Sequence, residues 1–141
     1  MASDRFSRRL RGLTLIELMI IVAVVAILAA IAYPSYREQT LRGFRAECKS
    51  AVMNVLQAQE RYYGSRNTYT TNLAAVGVNA FSGDNLSASA CDLSARPCGS
   101  EPLTACIEIV ATSRKSDTAC NEITRDSRGN RGGTNVSLCW R

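Results

Sequence analysis

Polarity along the chain changes its period more than once, and each change marks an element. Residues 13–33 read LTLIELMIIVAVVAILAAIAY, apolar on every side of a helix, with Glu17 as the single charge. Such a run is long enough to cross a bilayer, and a helix with no polar face belongs in lipid or in the core of a bundle. Ala23, Ala26, Ala29, Ala30 and Ala32 make it small-sided, so neighbouring helices can approach closely. Pro34 lacks a backbone donor and crowds the preceding turn, which predicts a kink or local melting there. After Pro34 the pattern becomes one-sided. Leu41, Phe44, Cys48, Ala51, Val52, Val55, Gln59 and Tyr62 recur at steps of three and four, while Arg37, Glu38, Arg42, Arg45, Lys49, Gln57 and Glu60 mostly lie off that stripe. This predicts an amphipathic continuation of the helix, ending near Gly64, with one face against a globular head.

The rest of the chain carries shorter signals. Residues 79–102 are rich in Ser, Ala, Gly and Asp without a clear period, and read as a surface loop. Residues 103–112 alternate, with Ala105, Ile107, Ile109 and Ala111 on one side, as a half-buried strand does. A turn at 114–117 leads to a weaker strand over 121–126, anchored by Ile123. Residues 127–133 form a glycine-rich loop, and Val136, Leu138 and Trp140 alternate as a last strand. The fold class is therefore α+β, a long N-terminal helix packed on a small antiparallel sheet.

Composition sharpens this picture at two points. A chain of 141 residues holds one small domain plus an anchor, and a head of that size often needs covalent staples. Six cysteines, no histidine and no CxxC pair favour disulfides in an oxidising compartment over a metal site. The formal charge of +5 is unevenly spread. Arg5, Arg8, Arg9 and Arg11 precede the apolar run against Asp4 alone, so much of the basic character is an orientation signal that stays on the cytoplasmic side.

Glu17 is the residue that demands an explanation. A carboxylate in a membrane-length helix costs several kcal/mol unless paired, and is a functional residue by default. A proteolytic cut after Gly12 would free an amine on Leu13, which a neighbouring subunit could present to Glu17. The run Arg11-Gly12-Leu13-Thr14-Leu15-Ile16-Glu17-Leu18-Met19 resembles the class III signal of type IV pilins and type II secretion pseudopilins. In that family a prepilin peptidase cuts after the glycine and methylates the new N-terminus. Leu13 stands where the family usually has Phe. The Ala-Tyr-Pro-Ser-Tyr block around Pro34 is similar to the family as well. The combination of Gln59-Glu60-Arg61-Tyr62-Tyr63 with Asn67-Thr68-Tyr69-Thr70 resembles PilE-like minor pilins of the type IVa group.

The resemblance implies a cleaved leader over 1–12, a membrane and filament-core helix over 13–35, and a head over 36–141. It implies processing between Gly12 and Leu13, and assembly roles for Glu17 and Pro34. The head would be periplasmic, on a single inner-membrane pass, until the subunit enters an extracellular pilus with other pilin subunits. Cys120 and Cys139 match the family's C-terminal disulfide loop, down to the Cys-Trp ending, a bridge worth about 3 kcal/mol on the loop-entropy account. Cys48, Cys91, Cys98 and Cys106 leave three pairings open. The implied function is that of a structural, minor pilin supporting pilus assembly and thereby adhesion, twitching motility or DNA uptake. A secretion pseudopilin is the first alternative.

A DNA-binding competence pilin is the second. Arg114, Lys115, Arg128 and Arg131 lie in the basic C-terminal third, and arginines in a glycine-rich loop can approach phosphates closely. Against this, surface arginines also serve solubility alone. Catalysis finds no support, with no histidine, no nucleophile–base pair and no phosphate-cradling loop, and no cofactor or metal is expected. Asp84 and Asp92 lack the spacing of a calcium loop. Asn85-Leu86-Ser87 and Asn135-Val136-Ser137 match the glycosylation pattern, which arises often by chance.

Overall fold

The computed structural model describes residues 14–141. The chain forms two compact units, the first ending at Glu38 and the second running Gln39–Arg141. Helix α1, Leu15–Arg66, contributes to both. Thr14 opens it, its hydroxyl accepting the backbone N–H of Glu17 at 3.3 Å and its carbonyl that of Leu18 at 3.1 Å. This satisfies donors that the first helical turn leaves orphaned. The backbone stays helical through Pro34, so the local melting expected there does not occur in this structure. Gly64 does not end the helix either. Termination falls to Asn67, whose backbone is left-handed (φ 53°) and whose N–H returns to Tyr63 O at 2.8 Å. Asparagine is one of the few residues that tolerates this capping conformation.

From Leu15 to Arg37 the first unit's part of α1 is exposed, Leu15, Ile16, Met19, Ile27 and Ile31 included. It is long and apolar enough to cross a membrane. In the second unit, α1 packs Cys48, Val52, Val55 and Leu56 against a four-stranded antiparallel sheet of consecutive strands: β1 Cys91–Pro97, β2 Ile107–Ser113, β3 Glu122–Asp126 and β4 Arg131–Gly133. Ile107, Ile109 and Ala111 on β2, Leu93 on β1 and Ile123 on β3 supply the sheet's side of the core. Gln59, fully buried, works as an internal clamp: its Nε2 donates to Thr70 O at 2.7 Å and its Oε1 accepts the Thr70 N–H at 3.1 Å. The segment after the helix is thereby held to it. Asn72 caps a 3-10 turn over Leu73–Val76, and Gly77 leaves it in a left-handed conformation (φ 73°).

Three further sequence expectations need correction. The 79–102 loop contains β1, where Cys91 and Leu93 are buried and Asp92 and Ser94 are exposed. The glycine-rich loop after β3 contains the short strand β4, in which Arg131 pairs with Arg125 across the ladder. The final strand is instead a single helical turn, α2 (Val136–Cys139), capped by the Asn135 side chain, which accepts from Leu138 N–H. That turn buries Cys139 against the core while Val136 remains exposed. The α+β class itself stands.

Candidate functional site

Glu17 lies in the first turn of α1, exposed among apolar neighbours. Among the described residues, its carboxylate has no ion-pair partner. Gly12 and Leu13, the expected cleavage pair, lie outside the described residues. Pro34 sits inside α1.

The six cysteines form three bridges. Cys120–Cys139 joins the segment before β3 to α2, Cys48–Cys91 ties α1 to β1, and Cys98–Cys106 closes the β1–β2 connection. Asp126 brings a carboxylate oxygen close to the Cys98 and Cys106 sulfurs. Those sulfurs are bonded to each other, so neither is a thiolate available to a metal.

The four basic residues singled out from sequence have different surroundings. Arg114 pairs with Asp92 at 2.7 Å. Arg128 engages Glu101 with both guanidinium nitrogens, which holds the Glu101 carboxyl below the usual carboxylate range and raises Arg128 further. Lys115 lies over the Phe44 ring, 5.3 Å from its centre. Arg131 lies 5.3 Å from the centre of the Trp140 indole, and Arg125, its cross-strand partner, lies 6.0 Å from the same ring. Trp140 is fixed in place by its Nε1–H, which donates to Gly132 O at 3.0 Å. Neither Lys115 nor Arg131 has a carboxylate partner among the described residues.

Sequence reasoning missed a buried ion pair. Arg45, read as lying off the apolar stripe, is 6% exposed and donates through Nε and an Nη to the Asp117 carboxylate at 2.5 and 3.0 Å. Those hydrogen bonds hold the Asp117 carboxyl below its ordinary range, against the opposing pull of burial. Asp117 also accepts the Cys120 N–H at 3.1 Å, so the pair anchors the start of the C-terminal disulfide loop to α1. A second cationic cluster joins Lys49 on α1 to the C-terminal segment, its Nζ donating to Arg141 O at 2.5 Å. The 92 positions between Lys49 and Arg141 keep this contact out of any linear pattern.

This head, on a helix whose apolar half bears Glu17 as its one charge, has recognisable relatives. A family model described as "Type IV minor pilin ComP, DNA uptake sequence receptor" matches residues 34–124. The chain belongs to that family and is a type IV pilin. A second model, the prokaryotic N-terminal methylation motif, matches residues 7–33. The pilin is 34% identical over 70 residues to the type IV major pilin protein PilA of Myxococcus xanthus, a match covering 50% of this chain and 32% of that protein. It is 37% identical over 70 residues to fimbrial protein EcpC of Eikenella corrodens, covering 50% of this chain and 46% of that one. The matched stretch thus spans less than half the length of either relative. A solved type IV pilin structure from Shewanella oneidensis aligns with a TM-score of 0.46 and 20% identity, covering 67% of this pilin and 94% of that chain.

Proposed function

We propose that this pilin is a minor subunit of a type IV pilus, supporting pilus assembly and the adhesion, twitching motility or DNA uptake that depend on it. In this reading prepilin peptidase cuts between Gly12 and Leu13 and the Leu13 amine is methylated. The processed subunit waits in the inner membrane with its head in the periplasm, and then joins other pilin subunits in the extracellular filament. The observation that carries the reading is the Glu17 carboxylate, without an ion-pair partner among the described residues, on an exposed, membrane-length apolar helix. Within a low-dielectric bundle of such helices, the amine of an adjacent subunit is the natural counter-charge, and a desolvated pair of that kind fixes axial register. The family match and the pilus relatives favour this assignment over a type II secretion pseudopilin, which shares the leader.

The test is Glu17→Ala. The variant should insert in the membrane and fold normally, yet appear in sheared filaments at a small fraction of the wild-type level. Normal incorporation would remove Glu17 from assembly.

A second reading, a DNA-receiving pilin, is favoured by the family's own description and by the Arg125–Trp140–Arg131 stack. Arg131 offers a cation without a competing carboxylate among the described residues, and an adjacent indole suits stacking with bases. In this reading Lys115 and Arg131 are better placed for phosphate contact than Arg114 and Arg128, which are engaged with Asp92 and Glu101. Arg131→Gln should weaken binding of short duplex DNA and make its log–log salt slope shallower by about 0.9. An unchanged slope would remove Arg131 as a phosphate contact.

A further inference from the structure

β1 is an edge strand of the sheet, and only part of its outer edge is covered. Successive residues of an antiparallel strand turn their N–H and C=O toward one neighbour and then the other. Arg114 N–H donates to Ala90 O, so even-numbered positions of β1 bond to β2 and odd-numbered positions face outward. On that outer side Cys91 O accepts Ser82 N–H, and Leu93 N–H donates to Ala80 O. Past Ala80 that cover ends. Leu93 O, Ala95 N–H and Ala95 O follow in order, without partners among the described residues. Pro97, also outward, has no N–H and closes the row. The open stretch is too short to template sheet growth between copies, yet long enough to pair with one short segment.

A cavity of about 430 Å³ lies beside these groups. Leu93, Ser94 and Ala95 line it from β1, and Thr71, Asn72 and Ala74 from the segment after α1. It adjoins a second cavity of about 280 Å³, and the two share Val78, Asn79 and Leu93. Asp84 lines the second and is the one charged residue in either lining. Its carboxylate has no partner among the described residues. An acceptor, a donor and an acceptor at strand spacing match the backbone of an extended peptide. A groove with a carboxylate and no cation is a poor seat for nucleic acid. We propose that this groove takes an extended peptide segment of a partner protein, which pairs with β1 as a fifth strand and turns a lysine or arginine toward Asp84. The site lies wholly within the second unit.

The probe is the peptide acetyl-Lys-Thr-Val-Thr-Val-amide, titrated into the processed full-length chain in detergent and followed by amide exchange in NMR. Exchange at Ala95 should slow at least tenfold at saturation. N-methylation of the peptide one residue at a time should weaken binding about fivefold where the lost N–H faced β1, and leave the intervening positions unchanged. Ala95→Pro removes the outward donor without touching a bond to β2, and should weaken binding about fivefold with near-ultraviolet circular dichroism unchanged. Should that variant misfold, the N-methylated peptides still decide the matter on the wild type. Glutamate in place of the peptide's lysine should weaken binding, and Asp84→Asn should erase that preference. Binding that leaves Ala95 exchange untouched, or that survives N-methylation at every position, would overturn the proposal. So would failure of both the lysine and the glutamate peptide to bind, or equal affinity for the two. Protection of Ala95 that rises with protein concentration in the absence of peptide would also overturn it, since a second copy would then fill the groove.

Discussion

Arg45 and Asp117 show what a single residue pair contributes to this head. Both are almost fully buried, and each carries a charge that the interior tolerates only because the other is present. Arg45→Ala leaves the Asp117 carboxylate buried without its guanidinium, and should cost about 3–5 kcal/mol in urea unfolding at pH 7. A loss below 1 kcal/mol would mean that water reaches the site freely. The pair also predicts an acid limb. Because hydrogen bonds from Arg45 depress the folded-state titration of Asp117, the stabilisation is fully present above the unfolded carboxyl value and is lost as pH falls through the lower, folded one. Wild type and Asp117→Asn should therefore differ in urea midpoint at pH 7, keep that gap down to about pH 4, and converge only as pH falls further, through the depressed folded value of Asp117. A gap that persists at low pH would contradict the linkage. Nothing in the linear pattern announces this pair, because a lone arginine beside an apolar stripe looks like any solvated charge.

At the scale of elements, legibility follows the length and purity of the periodic signal. The existence of the helix is readable because its apolar positions repeat for many turns, though neither its continuity through Pro34 nor its end at Arg66 is, and β2 is readable because Ile107, Ile109 and Ala111 form a clean alternating face. β1 also alternates, with Cys91, Leu93 and Ala95 against Asp92, Ser94 and Arg96, but small residues and flanking glycines dilute the contrast. β4 spans three residues, two of them glycine, and has no side-chain pattern to offer. The terminal turn misleads in the opposite sense, since Val136, Leu138 and Trp140 alternate in sequence, while the capping side chain of Asn135 selects a helical turn. The bridges then lock elements whose own signals are weak. Cys48–Cys91 spans 43 positions and Cys98–Cys106 only 8. On the loop-entropy account these are worth about 4 and about 2.6 kcal/mol. Replacing Cys48 and Cys91 with alanine should thus lower the urea midpoint more than replacing Cys98 and Cys106. The reverse order would show that native packing, not the unfolded chain, sets the contribution of each bridge.

For the whole molecule, function divides between an apolar helix with one charge and a head stapled by three disulfides. The sequence singles out Glu17 for the assembly role proposed above, because a carboxylate in a membrane-length run has few physical excuses. The head's chemistry was far less legible. Four cations close in sequence turned out to be two ion-paired arginines, a lysine on a phenylalanine and an arginine on a tryptophan. A different set meets elsewhere, with Arg45 of α1 on Asp117 and Lys49 of α1 on the Arg141 carbonyl oxygen. Ion pairing and cleft formation depend on neighbours brought together only by the fold. The central claim, a processed pilin incorporated as a minor subunit, meets its most direct test in mass spectrometry of filaments sheared from the source cells. The account predicts a peptide beginning at N-methylated Leu13, present in the filaments at a small fraction of the major pilin. Processed protein confined to the membrane fraction and missing from the filaments would contradict it.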